Sequence, residues 1–237
     1  MTDLQAILEA GGPWGRARII GDQLLIQGDC REVMAVLPKV DACLTDPPYG
    51  IGADNHAGPI SSGWTQWAVS EWDKERPSPE TFDAILAGSK EQIIWGGNYF
   101  ADLLPPSMRW LAWDKGQRDF SLADMELAWT SQQKAVRVFT YGRGKAVRDG
   151  KQHPTQKPIA LMEWCLGFLP DAETILDPFA GSGTVAVACQ RLGRQSISIE
   201  LDADYFEIAC KRVQEVVNNP PLFTPAPPKP TQDKMDL

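Results

Sequence analysis

Residues 174–217 hold the pattern that most narrows the folds open to this chain: strand, glycine turn, helix, strand, helix. Thr174-Ile175-Leu176 is a short apolar strand, Asp177-Pro178-Phe179-Ala180-Gly181-Ser182-Gly183-Thr184 a turn, and Val185 to Leu192 a helix. Gln195 to Ile199 reads as the next strand and ends at Glu200, and Asp204 to Val217 has the spacing of a long amphipathic helix. This βαβ unit predicts a mostly parallel, doubly wound α/β sheet. It carries a glycine turn at the first strand's end and an acid at the second's, about twenty residues later.

Such a unit suits an adenosine-containing cofactor. The glycines let backbone approach the ligand, and the acid takes ribose hydroxyls. Pyrophosphate is a poor guest, because Asp177 and Phe179 stand where a dinucleotide site presents glycines and small residues. An acid there repels phosphate but engages an ammonium. S-adenosylmethionine, cationic at sulfur and amine, fits better.

A second feature lies in the first half. Val40-Asp41-Ala42-Cys43-Leu44 reads as a buried strand running into Thr45-Asp46-Pro47-Pro48-Tyr49-Gly50. Two successive prolines supply no backbone N–H, and Pro48 holds Pro47 extended, so the turn is stiff. One carboxylate, neighbouring carbonyls and a ring make a receptor for a flat group bearing an amine, such as a nucleobase with an exocyclic NH2.

Asp46-Pro47-Pro48-Tyr49 after a strand resembles the catalytic loop of the amino-methyltransferases that modify DNA at adenine N6 or cytosine N4. Followed by Asp-Pro-Phe-Ala-Gly-Ser-Gly-Thr, the order is similar to the β class of that family, in which the catalytic half precedes the cofactor half. The expected fold is therefore the Rossmann-like methyltransferase type, circularly permuted, with a small recognition insertion. The resemblance implies that Asp46, Pro47, Pro48 and Tyr49 hold the target amine and base. It places Phe179, Gly181, Ser182, Gly183 and Thr184 around S-adenosylmethionine, with Asp177 near its methionine end, Glu200 on the ribose and Asp29 on the adenine side. His153, Thr155 and Lys157 complete the methionine pocket, Lys157 through the carboxylate. Gly96-Gly97-Asn98-Tyr99-Phe100 resembles the element lining the target-base pocket. An Asp at the head of the first motif is commoner in the adenine enzymes and a Ser in the cytosine ones, so adenine N6 is expected and cytosine N4 is the alternative. The resemblance further implies a DNA partner with a flipped base, and dimerisation, frequent in the family, would enlarge the DNA footprint. A cytosine-C5 enzyme needs a cysteine nucleophile, and no cysteine here follows a proline.

At 237 residues the chain suffices for one core, expected over 1–218 with a Pro-rich tail at 219–237. Five scattered cysteines without a C-x-x-C pair, and two histidines far apart (His56 and His153), suggest neither disulfides nor a metal site. No apolar run approaches a membrane span and Met1-Thr2-Asp3 starts no signal peptide, so the expected setting is cytoplasmic. The net charge of -8 argues against a protein that clamps DNA by charge alone. Its distribution matters more. Between Lys134 and Lys157, seven basic residues face the single acid Asp149, a net of +6 that leaves -14 for the rest. The cluster is either a solvated loop or a nucleic-acid contact, and its place between the two motifs favours the contact.

The remaining elements follow from local signals. Leu4, Ile7 and Leu8 suggest a helix ending at Gly11. Arg18-Ile19-Ile20 and Leu24-Leu25-Ile26-Gln27 read as strands around Gly21-Asp22. Asp29 either caps the short helix that follows or faces a ligand, and both can hold together. Ser78-Pro79 opens a helix to about Ser89. Gln92 to Trp95, Arg109 to Asp114, Glu126 to Trp129 and Val136 to Phe139 are strands, and Pro158 starts a helix. Residues 51–77, with Trp64, Trp67 and Trp72, form a long loop that either closes over a base or packs on the body. Residues 115–152 are the small basic insertion that, with that loop, must read the target. Two rival functions remain: a related transferase acting on RNA or a protein amide, and a cofactor-binding DNA-associated protein without activity.

Overall fold

The computed structural model describes residues 2–51, 75–116, 118, 123–142 and 156–220. Most of the 51–77 loop, residues 143–155 with His153 and Thr155, and the tail from 221 lie outside the described residues.

The chain opens with helix α1 (Leu4–Ala10), then strands β1 (Arg16–Ile20) and β2 (Gln23–Gln27), helix α2 (Cys30–Met34) and strand β3 (Val40–Thr45). Helix α3 (Pro79–Gly88) leads into β4 (Ser89–Trp95) and a 3-10 turn at Gly97–Tyr99, followed by β5 (Trp110–Asp114), β6 (Met125–Thr130) and β7 (Arg137–Thr140). Helix α4 (Ile159–Leu166) precedes β8 (Thr174–Asp177), α5 (Thr184–Arg191), β9 (Gln195–Glu200) and α6 (Ala203–Asn218). The expected strands all form, within a residue or two at most ends. At α3, Ser78 has the extended backbone of a cap, but its hydroxyl lies 3.3 Å from Thr81 Oγ1 and makes no side-chain cap bond.

Among the described residues nine strands join one sheet in the order β1-β2-β9-β8-β3-β4-β6-β5-β7. The central run β2-β9-β8-β3-β4 is parallel throughout; β1 and β6 are antiparallel to their neighbours, and β7 runs parallel to β5. The glycine-turn strand β8, late in the chain, thus sits in mid-sheet, as the permuted order predicts.

Both faces of the sheet are covered, which is why its strands read as continuous apolar runs rather than alternating ones. Leu44, Ile93, Trp95 and Ile175 pack against α4 and α5 on one face. Cys43, Ile94, Leu176, Ile197 and Ile199 pack with Val33, Phe82 and Ile85 of α2 and α3 on the other. Helix α6 covers Leu25 and α5 through Phe206, Ala209 and Val213. The five cysteines are unpaired thiols.

Candidate active site

The five parallel strands end on one edge, so their carboxyl-terminal residues form a row: Gln27-Gly28, Glu200, Asp177, Thr45-Asp46 and Trp95-Gly96. From β8 the chain crosses through α5 to β9 on one side, whereas from β3 it crosses through α3 to β4 on the other. Reversal of direction between neighbouring parallel strands opens a crevice at their carboxyl ends. Thr45 and Asp177 meet there, 132 residues apart in sequence, with the Thr45 hydroxyl donating to Asp177 Oδ1 at 2.8 Å. The acidic corner and the glycine turn therefore open on the same side.

At the acidic corner, Asp46 is held through both carboxylate oxygens. The Tyr49 hydroxyl donates to Oδ1 at 2.7 Å and the Lys157 ammonium to Oδ2 at 2.5 Å. Lys157 also donates to the Tyr49 oxygen at 3.0 Å, closing a triangle, and lies 3.2 Å from Glu126 Oε2. Glu126 in turn meets Lys115 at 2.6 Å. Lys157 is 5% exposed, so its charge needs these partners. Burial pushes the Lys157 pKa down, but Asp46 and Glu126 outweigh it and the ammonium is held above its usual range. Burial raises the Asp46 pKa, against the pull of Lys157, even though a third of its side chain still meets solvent.

Pro47 is buried and Pro48 half-buried. The Tyr49 ring lies 4.7 Å from that of Tyr99 at an interplanar angle of 16°, and edge-on to Phe100. Gly96 supports this ring by its lack of a side chain: a Cβ there would sit 2.1 Å from Tyr49 Cε1. Tyr99 thus covers one face of the ring expected to stack on a base, and a base stacking on that face takes Tyr99's place.

The glycine turn is fixed from both sides. Asp177, 2% exposed, accepts from Thr45 and from the Phe179 N–H on the same oxygen. Burial drives its pKa up to about 7, and neighbouring Asp46 and Glu200 add to the rise. The Glu200 carboxylate accepts from the Gly181 N–H at 2.7 Å and from the Asp202 N–H at 2.9 Å, and burial pushes its pKa to about 7 as well. Behind the turn stands a group that the sequence did not single out, Arg212 of α6. Its Nη1 donates to the Ser182 carbonyl and hydroxyl and to Thr184 Oγ1. Ser182 and Thr184 therefore direct their oxygens at α6.

Two further expected cofactor residues have protein partners in the structure. Asp29 caps α2 through the Arg31 N–H, as one of its two expected roles has it, and pairs with the Arg31 guanidinium, which holds its carboxyl below the usual range. Lys157, expected at the methionine carboxylate, has its ammonium on Asp46, Tyr49 and Glu126. Glu126 was legible only as the first residue of an apolar strand, and Lys115 only as part of a turn. Neither their pairing nor that of Arg212 leaves a spacing signal in the sequence. Among the described residues no group of three or more His, Cys, Asp or Glu is placed to hold a metal ion, and no helix is long and apolar enough to cross a membrane.

Comparison with known proteins places this geometry. Residues 94–211, from β4 into α6, match the family model N6_N4_Mtase, described as DNA methylase. This is a domain of the N6/N4 DNA methylase family. The matched span holds Gly96, Lys157, the glycine turn and Glu200, while the Asp46 corner lies outside it. The methylase domain is similar to the type II methyltransferase M2.DpnII of Streptococcus pneumoniae, 32% identical over 60% of this chain and 49% of that protein. M2.LlaDCHI of Lactococcus lactis subsp. cremoris, another type II methyltransferase, is 30% identical over 61% and 49%. The chain thus spans about half the length of these curated relatives. The fold is shared with the structure of the M1.HpyAVI–SAM complex, at a TM-score of 0.52 and 23% identity over 79% of this chain and 98% of that one. It is shared too with the PvuII DNA methyltransferase, described as cytosine-N4-specific, at a TM-score of 0.55 and 13% identity over 86% and 94%.

Proposed function

We propose that this methylase domain transfers a methyl group from S-adenosylmethionine to the exocyclic N6 amine of adenine in DNA, at a specific site. The observation that carries the reading is the Thr45–Asp177 bond at the switch point, which joins the amine-binding corner to the glycine turn. The names of the type II relatives and the family match support the DNA substrate class.

The turn fits the cofactor. The space over Gly181 is open: apart from its own two chain neighbours, no described residue has an atom within 4 Å of where a Cβ would stand. Each Glu200 oxygen accepts one backbone N–H and keeps a lone pair for a ribose hydroxyl. Leu201, 69% exposed beside it, offers apolar surface to a purine. Asp177 sits nearest β3, on the side from which the methyl must travel. When bound, the cofactor supplies an electrophilic methyl group on a sulfonium.

The chain's own residues make the amine reactive. An exocyclic amine is a poor nucleophile because its lone pair is delocalised into the ring. The Asp46 carboxylate accepts its hydrogens, draws the nitrogen towards tetrahedral geometry and stabilises the positive charge that develops there. A hydrogen bond to a charged group contributes roughly 1.5–3 kcal/mol. Tyr49 and Lys157 fix the carboxylate before substrate arrives, so little reorganisation accompanies the reaction. With the cofactor bound, the amine lone pair held at Asp46 would accept its methyl group, and the bonding electrons would stay on the departing thioether. The nitrogen proton then leaves to Asp46 and on to water. In duplex DNA the target base must leave the stack at a cost of about a few kcal/mol, and contact with the Tyr49 region offsets part of it.

The test offers labelled S-adenosylmethionine with DNA, RNA and protein to wild type and Asp46→Ala, followed by nucleoside chromatography. Label in N6-methyldeoxyadenosine that disappears with Asp46→Ala is the expected result. Label in N4-methyldeoxycytidine selects the cytosine alternative, and label retained by Asp46→Ala removes Asp46 from the mechanism.

A further inference from the structure

Four ionised side chains form a continuous chain running away from the reacting corner: Asp46, Lys157, Glu126 and Lys115. Together they carry no net charge. The three hydrogens of the Lys157 ammonium have three acceptors, Asp46 Oδ2, Tyr49 Oη and Glu126 Oε2. Glu126, on β6, divides its two oxygens between Lys115 and Lys157. Its strand is adjacent to the pocket, since the Gly96 N–H donates to the neighbouring Leu127 carbonyl at 2.8 Å.

A carboxylate paired with a buried ammonium is close to a neutral unit and a weak magnet for a second cation. The Asp46 corner has to stabilise positive charge growing on an amine nitrogen, and a lone Lys157 beside it would oppose that charge. We propose that Glu126 is a positioning residue for methyl transfer: by neutralising Lys157 it lets that lysine orient Asp46 without cancelling the field Asp46 presents to the amine. The inference rests on the methyltransferase reading given above and adds to it a residue that never touches substrate. Both partners stay ionised through the working range. Burial pushes the Glu126 carboxyl up, but Lys157 and Lys115 outweigh it and hold its pKa at about 2.

The sign of the charge separates this role from simple packing. Glu126→Gln keeps the shape and leaves a net positive charge beside the amine. At the effective dielectric of a partly buried site, one such charge several ångströms away corresponds to a rate loss of about ten- to a hundredfold. Adding Lys115→Met to Glu126→Gln returns the cluster to neutrality although one more native contact is lost. The experiment measures single-turnover methyl transfer, DNA affinity by fluorescence anisotropy and thermal unfolding for wild type, Glu126→Gln, Glu126→Asp and the Glu126→Gln/Lys115→Met pair. The expected result is a slowed Glu126→Gln with DNA affinity within about twofold of wild type. Glu126→Asp should stay close to wild type, and the double variant should recover at least about fivefold over Glu126→Gln. If Glu126→Gln does not fold, the comparison runs between Glu126→Asp and the double variant, and a double variant slower than Glu126→Asp by more than about thirtyfold overturns the proposal. A Glu126→Gln rate within twofold of wild type overturns it, as does a double variant no faster than Glu126→Gln. A wild type that transfers no label to any substrate overturns the functional reading and this inference with it.

Discussion

Asp177 is a carboxylate whose environment opposes its charge. It is fully enclosed, with Asp46 and Glu200 nearby, and its pKa of about 7 stands well above the ordinary carboxylate value of 3.8. Between about pH 4 and 7 the folded state therefore holds a proton that the unfolded chain has released, and stability falls as pH rises through that window. Asn at this position keeps an amide oxygen for both Thr45 and Phe179 and removes the charge. Asp177→Asn should raise the melting temperature at pH 8 by roughly 2–4 °C, the shift expected for about 1 kcal/mol in a domain of this size. It should also flatten the decline between about pH 4 and 7. Its affinity for S-adenosylmethionine should drop about tenfold in calorimetric titration, because an ammonium there has lost its counter-charge. A variant that melts lower at pH 8, or binds as well as wild type, contradicts the account.

Among elements, the glycine turn and helix α6 form one device, and its two glycines do different work. Gly183 has a φ of +75° and its missing Cβ would meet the Ala209 Cβ at 2.8 Å, so the turn lies directly on the helix. Gly181 has a φ of +51° but faces open space. Alanine in a left-handed conformation costs about 1–3 kcal/mol at either site, and only Gly183→Ala adds a clash with backbone neighbours. Gly183→Ala should therefore lower stability more than Gly181→Ala in denaturant titration. Gly181→Ala should lose cofactor affinity out of proportion to its stability, because its methyl fills the cradle. Equal stability losses with cofactor binding retained in Gly181→Ala would refute that division of labour. The same element shows how far the sequence could be read. Its strands, turn, helix and terminal acid were legible because each is a local signal: an apolar run, glycines, a 3.6-residue spacing. Arg212 was not, because a basic residue on the last helix looks like solvent-facing charge until the helix packs, and here its guanidinium ends under Ser182 and Thr184. Lys157 was read as a partner for the cofactor on resemblance, and only the approach of α4 to β3 and β6 brings it to Asp46 and Glu126. Buried ion pairs join residues more than a hundred positions apart, as Lys157 and Asp46 are, and no periodicity records that.

Over the whole molecule, charge is divided between a basic segment and an acidic remainder. The +6 stretch between Lys134 and Lys157 is the part of this acidic chain best suited to phosphate. Each phosphate contact steepens the fall of log affinity with log salt by about 0.9. Replacing Arg143, Lys145 and Arg148 by glutamine should therefore weaken DNA binding and flatten its salt dependence, with Asp46-dependent chemistry on saturating DNA little changed. An unaltered slope would put the DNA contact elsewhere.

The sheet order has a consequence for how the chain is made. Strands β2 and β3 are consecutive but are separated in the sheet by β9 and β8, which come later in sequence than the other seven described strands. A ribosome delivers both flanks of that gap well over a hundred residues before the pair that fills it. Through that interval the emerging chain presents two unpaired inner edges, each a template for pairing with the wrong partner. The seam that closes last is also the one that unites Asp46 with the glycine turn, so a nascent chain has no assembled site until its two central strands have zipped into place.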